Sequence, residues 1–336
     1  MIFFTLQVKN KMKMHHIFSL VAAVGLATSC GSGSATNSSA KDADTVPQPV
    51  AAVDFNADSA FAFVKQQCDF GPRVPETQAH EQCGEWIEAQ LRGWCDKVIA
   101  QKARLATFDG KMLNATNYIG VINPDAKERI LLVAHWDTRP WADADPDQTK
   151  RNMPVMGAND GASGVGVLLE LARLMNGKKP DVGVDILLVD AEDWGTDNEE
   201  ESWALGTQYW AEHPHVKDYK PMYGILLDMV GAPDAQFYHE GFSLQCAADV
   251  VEKVWNIAAN SGYSNHFKSV QFGAATDDHV FIIRAGIPCI DIIDMRPGSE
   301  GGFFPYWHTT GDTIDKISAA TLKAVGQTVA NLIYEL

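Results

Sequence analysis

From Asn117 onward the chain repeats one unit: an apolar run, a polar stop, then a segment with helical spacing. Ile130-Leu131-Leu132-Val133-Ala134 ends at His135, Val184-Asp185-Ile186-Leu187-Leu188-Val189 leads to Glu192 and Asp193, and Tyr223-Gly224-Ile225-Leu226-Leu227 closes on Asp228. Runs that stay apolar without alternating predict strands buried on both faces, and helices between them predict parallel crossovers. The expected fold class is therefore α/β: a single three-layer α/β/α domain with a mixed, largely parallel central sheet. Strands are expected over 117–122, 130–135, 184–190, 223–229 and 287–293. Helices are expected over 54–67, 78–94, 162–176, 204–212, 244–260, 278–285 and 318–335. In such sheets ligands sit beyond the carboxyl ends of the strands, where the polar stops fall.

With 336 residues, 46% of them hydrophobic and 21% charged, the chain suffices for one large domain with a full core. A net charge of −16 excludes nucleic acid as a partner, since phosphate binding needs clustered Lys and Arg. Residues 1–29 read as an export signal: Lys9, Lys11 and Lys13 precede the apolar run from Ile17 to Ala27, which is too short to span a bilayer. Cys30 follows small residues at its end, as in the bacterial lipoprotein signal. The expected product is exported and lipid-anchored in the bacterial cell envelope, touching the membrane only through a lipid on Cys30. Residues 30–53 are rich in Ser, Ala, Asp and Pro and read as a flexible tether, leaving 54–336 as the folded domain. Among the remaining cysteines, a disulfide within Cys68, Cys83 and Cys95 is compatible with that compartment, with its pairing open.

His135, Asp160, Asp193, Asp228 and His308 supply imidazole nitrogens and carboxylate oxygens, which zinc accepts readily, for one ion or for two bridged by Asp160. Asp160 lies in the small-residue turn Gly157-Ala158-Asn159-Asp160-Gly161-Ala162-Ser163-Gly164, ahead of a helix. Glu192 beside Asp193 places a carboxylate suited to general-base work next to a ligating one. Asp137 is expected to orient His135. The spacing of Gly161, Gly164 and Gly166 departs from a dinucleotide fingerprint and predicts close helix packing instead. The acidic run 197–201 reads as a solvated loop, His213 and His215 as surface residues, and Asp278 and His279 as a helix cap and a first-turn residue.

His135-Trp136-Asp137, the 157–164 turn, Asp190-Ala191-Glu192-Asp193, Leu227-Asp228 and Trp307-His308-Thr309 occur in the order of the secreted zinc aminopeptidases and their relatives, the glutaminyl cyclases. The resemblance covers about residues 55–336 and implies a zinc exopeptidase-like fold. The aminopeptidase pattern implies two zinc ions, one on His135, Asp160 and Asp228 and one on Asp160, Asp193 and His308. However, Thr276-Asp277-Asp278-His279 followed by Ile282-Ile283-Arg284-Ala285-Gly286-Ile287-Pro288 resembles the cyclases, and Trp203 and Trp307 match aromatic walls of the cyclase pocket. The cyclase resemblance implies one zinc per chain on Asp160, Asp193 and His308, with Glu192, Asp228 and Asp277 as the acid/base network. It also implies peptides or exported proteins with an N-terminal Gln as substrates. Asp193 stands where animal cyclases carry Glu.

Overall fold

The computed structural model describes residues 53–197 and 199–336. The expected signal segment, and the tether as far as residue 52, lie outside the described residues. Helices α1 (Ala57–Phe70) and α2 (Gln78–Trp94) begin at Asn56 and Thr77, whose side chains accept from the amides of Ser59 and His80. A hairpin follows, β1 (Lys97–Ala106) and β2 (Met112–Ile122), then β3 (Arg129–His135), α3 (Ala162–Gly177) and β4 (Gly183–Val189). The second half runs α4 (Leu205–Glu212), β5 (Gly224–Asp228), β6 (Phe237–His239), α5 (Gly241–Asn260), β7 (Phe267–Gln271), α6 (Asp278–Arg284), β8 (Cys289–Ile293) and α7 (Ala319–Glu335).

The main sheet has the order β1-β2-β4-β3-β5-β8, with β2 antiparallel to both β1 and β4 and every other pairing parallel. β6 and β7 form a separate parallel pair. The unalternating runs behave as two-sided strands. Ile130, Leu132 and Ala134 of β3 pack into one core with α1, α2, α3 and α7, whereas Leu131 and Val133 enter a second core with Trp210 of α4 and Ile282 of α6. The sheet is thus covered on both faces, giving the three layers. β1 was not expected: Lys97, Gln101, Lys102 and Arg104 interrupt its apolar residues, and the strand stays mostly half-buried or exposed at the edge of the sheet.

α3 is buried almost all round and ties the site to the sheet. A Cβ on Gly164 would collide with the Leu227 carbonyl of β5, and one on Gly166 would come within 2.5 Å of Val64 in α1. The glycines therefore serve close packing. Because the Gly164 collision is with backbone, Gly164→Ala is expected to cost about 3 kcal/mol, read as a lower urea midpoint with an unchanged slope.

Asp277, rather than Asp278, caps α6, and Asp278 and His279 are fully buried in its first turn. His279 Nε2 lies 3.1 Å from Glu240, whose carboxylate also accepts from the amides of Phe242 and Ser243 at 2.9 and 2.7 Å. Burial pushes the Glu240 carboxyl up, but His279 and those amides outweigh it and hold it at about 2, below the ordinary 4.5. A depressed carboxyl stabilises the fold above its unfolded value and loses that contribution as pH falls toward the folded one. The urea midpoint of wild type over Glu240→Gln is therefore expected to narrow between about pH 4.5 and pH 2.

Two further expectations are corrected. Cys68, Cys83 and Cys95 are free thiols. Cys83 lies within α2 and Cys95 follows its last residue, so about 18 Å of helix separates them, beyond disulfide reach. His215 is not a surface residue: its side chain is 1% exposed and accepts from the Trp210 indole at 3.2 Å. His213 is exposed, as is most of the acidic run, where Glu200 and Glu201 pair with Arg284.

Candidate active site

The polar stops converge because β3, β4 and β5 are parallel neighbours, so their carboxyl ends open on one side. β3 delivers His135 and β5 delivers Asp228, while the turn after β4 carries Glu192 and Asp193. Asp160 enters from the turn before α3, and His308 from the long loop between β8 and α7. All five expected ligands come together, as two groups sharing Asp160.

His135 Nε2 lies 3.0 Å from Asp160 Oδ1 and 3.2 Å from Asp228 Oδ1. On the other side His308 Nε2 lies 3.2 Å from Asp193 Oδ1 and 3.7 Å from Asp160 Oδ2. Ligands about 2.0–2.2 Å from a tetrahedral zinc stand roughly 3.3–3.6 Å from one another, so the spacing of the donors fits that ion. Charge fits as well. Asp160, Glu192, Asp193, Asp228 and Asp277 are each at most 8% exposed, and buried carboxylates need compensating positive charge.

Several residues absent from the sequence reading hold these groups in place. Asp312 accepts from the amides of Asn159 and Asp160 at 2.9 and 3.0 Å, and fully buried Arg73 donates to the carbonyls of Met156 and Gly157. Gly161 has φ +97°, and a Cβ there would lie 2.6 Å from the Asp137 carbonyl. Arg139 binds Asp143 at 2.8 and 2.5 Å and reaches Asp193 Oδ1 at 3.3 Å. Asp137 stands 3.7 Å from His135 Nδ1, an ion-pair distance at which it favours the charged ring. Its carboxylate also accepts from the amides of Glu192 and Asp193 at 3.0 and 3.2 Å, fixing a turn in which Ala191 has φ +54°. In the sequence Arg73 stands only between the prolines of Gly71-Pro72-Arg73-Val74-Pro75, and Asp312 is only one polar residue among the four after His308.

A pocket of about 370 Å³ opens above these groups, lined by Glu192, Asp228, Asp277, Trp203, Trp307 and His308 among others. The Trp307 and Trp203 rings both lie nearly parallel to the His308 imidazole, with centroids 3.7 and 6.0 Å away. Trp141 packs edge-on against Trp194 outside the pocket, and Trp136 is core, stacked on His80. Burial lifts the Glu192 carboxyl well above the usual range; His135 opposes this, and Asp193 and Asp277 add to it. Burial likewise lifts Asp228 to about 7, against its hydrogen bond from His135 and with help from Asp277. Asp160 goes the other way, because His135 and His308 outweigh its burial. The site thus combines an ionised ligand-type carboxylate with neighbours able to carry a proton near neutral pH.

Known proteins share this architecture. The solved structure of a Zn-dependent exopeptidase from Parabacteroides distasonis is 50% identical and superposes with a TM-score of 0.83, covering 84% of this chain and 99% of that one. A glutaminyl cyclase from Bacteroides thetaiotaomicron, solved with N-acetylhistamine bound, is also 50% identical, with a TM-score of 0.82 and the same coverage. Among curated proteins, the aminopeptidase YwaD of Bacillus subtilis is 26% identical over 227 residues, or 65% of this chain. The match spans only 44% of that aminopeptidase's length. These likenesses and the donor set both point to zinc. Residues 117–333 match the sequence profile of peptidase family M28, and the chain belongs to that family.

Proposed function

We propose that the protein is a glutaminyl-peptide cyclotransferase, an acyltransferase that converts the N-terminal Gln of peptides and exported proteins to pyroglutamate with release of ammonia. The observation that carries this reading is the pocket: it is small, walled by Trp203 and Trp307, and floored by the paired acids Glu192 and Asp277 with Asp228. The 50% identity to a bacterial glutaminyl cyclase supports it.

Asp160, Asp193 and His308 would hold one zinc ion, with Arg139 and Asp143 bracing Asp193 and His308. When bound, zinc acts as a Lewis acid that polarises the γ-carbonyl of the substrate Gln. Trp203 and Trp307 fold the Gln side chain back on its own α-amine and exclude water, which would otherwise compete as the nucleophile. The amine nitrogen bonds to the γ-carbonyl carbon as the bond from that carbon to the side-chain nitrogen breaks. Glu192 takes the proton from the amine and returns it to the departing nitrogen, which leaves as ammonia. Burial, with Asp193 and Asp277 adding to it, keeps the proton affinity of Glu192 high enough for both transfers, and Asp228 completes the acid/base network.

His135 and Asp228 are the candidates for a second metal in the alternative reading, a di-zinc aminopeptidase. His135 Nε2, within hydrogen-bonding distance of both Asp160 and Asp228, takes the place of that second cation in the cyclase reading. The test is to strip the purified protein of metal and titrate zinc back while following ammonia release from a Gln-peptide. Activity is expected to saturate at one zinc per chain; saturation only at two would sink the one-zinc assignment.

Export and lipid attachment at Cys30 belong to the same proposal. Cys30→Ser is expected to move the protein from the membrane fraction to the soluble fraction of its host cells.

A further inference from the structure

Asp291 stands in the middle of β8, between Ile290 and Ile292, and is fully buried. Side chains alternate along a strand, so it shares a face with Cys289, which joins the core that contains Ile282 of α6. There Asp291 meets Asp277 and His279 from the start of α6: one donor atom of each lies within 4.8 Å of the other two. All three are at most 5% exposed, and Asp291 and His279 belong to neither group around Asp160.

Asp277 Oδ2, both Asp291 carboxylate oxygens and His279 Nδ1 are buried without a hydrogen-bond partner among the described residues. Buried polar atoms are nearly always matched, so this concentration points to a ligand. His279 Nε2 donates to Glu240 at 3.1 Å, and with the proton there Nδ1 presents a lone pair 3.7 Å from Asp291 Oδ2. Two acceptors cannot satisfy each other, and at that distance a protonated Nδ1 would also fall short of a hydrogen bond. A carboxylate behind the far ring nitrogen is the arrangement that orients a metal-bound histidine. Ser243 extends the bracing, since its hydroxyl donates to Glu240 at 2.7 Å and accepts from the Asp291 amide at 3.0 Å.

A proton shared between the facing carboxyls of Asp277 and Asp291 would satisfy one oxygen of each and still leave the other Asp291 oxygen and His279 Nδ1 unmatched. One cation among the three residues matches every one of these atoms and supplies the positive charge that buried carboxylates need. We propose that Asp277, His279 and Asp291 hold a structural divalent transition-metal ion between α6 and β8, separate from the zinc on Asp160, Asp193 and His308. Imidazole combined with carboxylates is a donor set that such ions accept. The ion is independent of whether the catalytic site cyclises Gln or cuts peptide bonds. Asp277 is then held at both oxygens, since Oδ1 accepts from the Asp278 amide at 2.5 Å, and one wall of the catalytic pocket is fixed with it.

The test incubates the full chain, loaded with zinc to the level that saturates activity, with Mn2+ alone and then desalts it. Mn2+ is the weakest binder of the first-row divalent series, so it leaves the catalytic zinc in place. Electron paramagnetic resonance and elemental analysis are expected to show about one Mn2+ per chain beside an unchanged zinc content, with a raised melting temperature. Asp291→Asn is expected to lower Mn2+ affinity about a hundredfold, the scale of a lost ligand, and to abolish that rise in melting temperature. Glu240→Gln keeps all three donors and is expected to cost about tenfold by loosening the ring. His135→Gln, at the second-metal position of the aminopeptidase reading, is expected to bind Mn2+ as wild type does. No retained Mn2+, or wild-type affinity in Asp291→Asn or Glu240→Gln, would overturn the proposal. Loss of Mn2+ in His135→Gln would overturn it as well and place the ion beside Asp160 instead.

Discussion

Glu192→Gln is expected to lower kcat about a thousandfold while leaving zinc content unchanged, the scale at which a positioned general base contributes. The substitution keeps the size of the side chain and removes only its ability to carry a proton. The Glu192 amide, which donates to Asp137 at 3.0 Å, is untouched, so the turn presenting Asp193 stays in place. Glu192 belongs to neither of the ligand groups that share Asp160, and the donor set for zinc therefore survives. Because the proton transfers happen in the transition state and not on binding, kcat and kcat/KM are expected to fall together. Stopped-time ammonia assays with elemental analysis of the same sample check both halves. A rate within tenfold of wild type would pass the base role to Asp228 or Asp277.

His308→Ala has the second largest expected effect, and on a different quantity. Zinc sites of four ligands bind with about 10–16 kcal/mol, so one ligand is worth roughly 3 kcal/mol, or about two to three orders of magnitude in zinc Kd. His308 sits where that loss cannot be made up. Its neighbours at the metal are the carboxylates Asp160 and Asp193, and the Trp307 ring on its face offers no donor. The variant is expected to lose zinc to a chelator that leaves wild type loaded. It should also melt at a lower temperature, since the folded state no longer gains from bound metal. Retention of zinc at wild-type affinity would move the ion to the His135, Asp160 and Asp228 group.

Most of the parallel strands, and the convergence of the candidate ligands, were legible in the sequence for one physical reason. A two-sided strand is an unbroken apolar run, and in a parallel sheet the first polar residue after each run falls at the same edge. His135, Asp228 and the Glu192-Asp193 pair are such residues. β1 escaped because an edge strand carries charge on its open face and looks like a loop in composition. The supports of the site escaped for another reason. Arg73 and Asp312 act through contacts across long sequence separations, such as Asp312 to the Asn159 amide 153 residues away, and the Arg139–Asp143 pair, though local, meets Asp193 and His308 only in the fold. His215 was misread because a histidine beside a proline resembles surface sequence, while its burial depends on Trp210 and on Tyr219, which follows a further loop.

The central claim is that this site closes a ring on its substrate and does not cut a peptide bond. The direct measurement is mass spectrometry of two tripeptides incubated with the zinc-loaded protein, one beginning with Gln and its isomer beginning with Leu. The account predicts that the Gln peptide alone changes, losing one ammonia and keeping all its residues. Free leucine and a dipeptide from the isomer, with the Gln peptide left uncyclised, would contradict it.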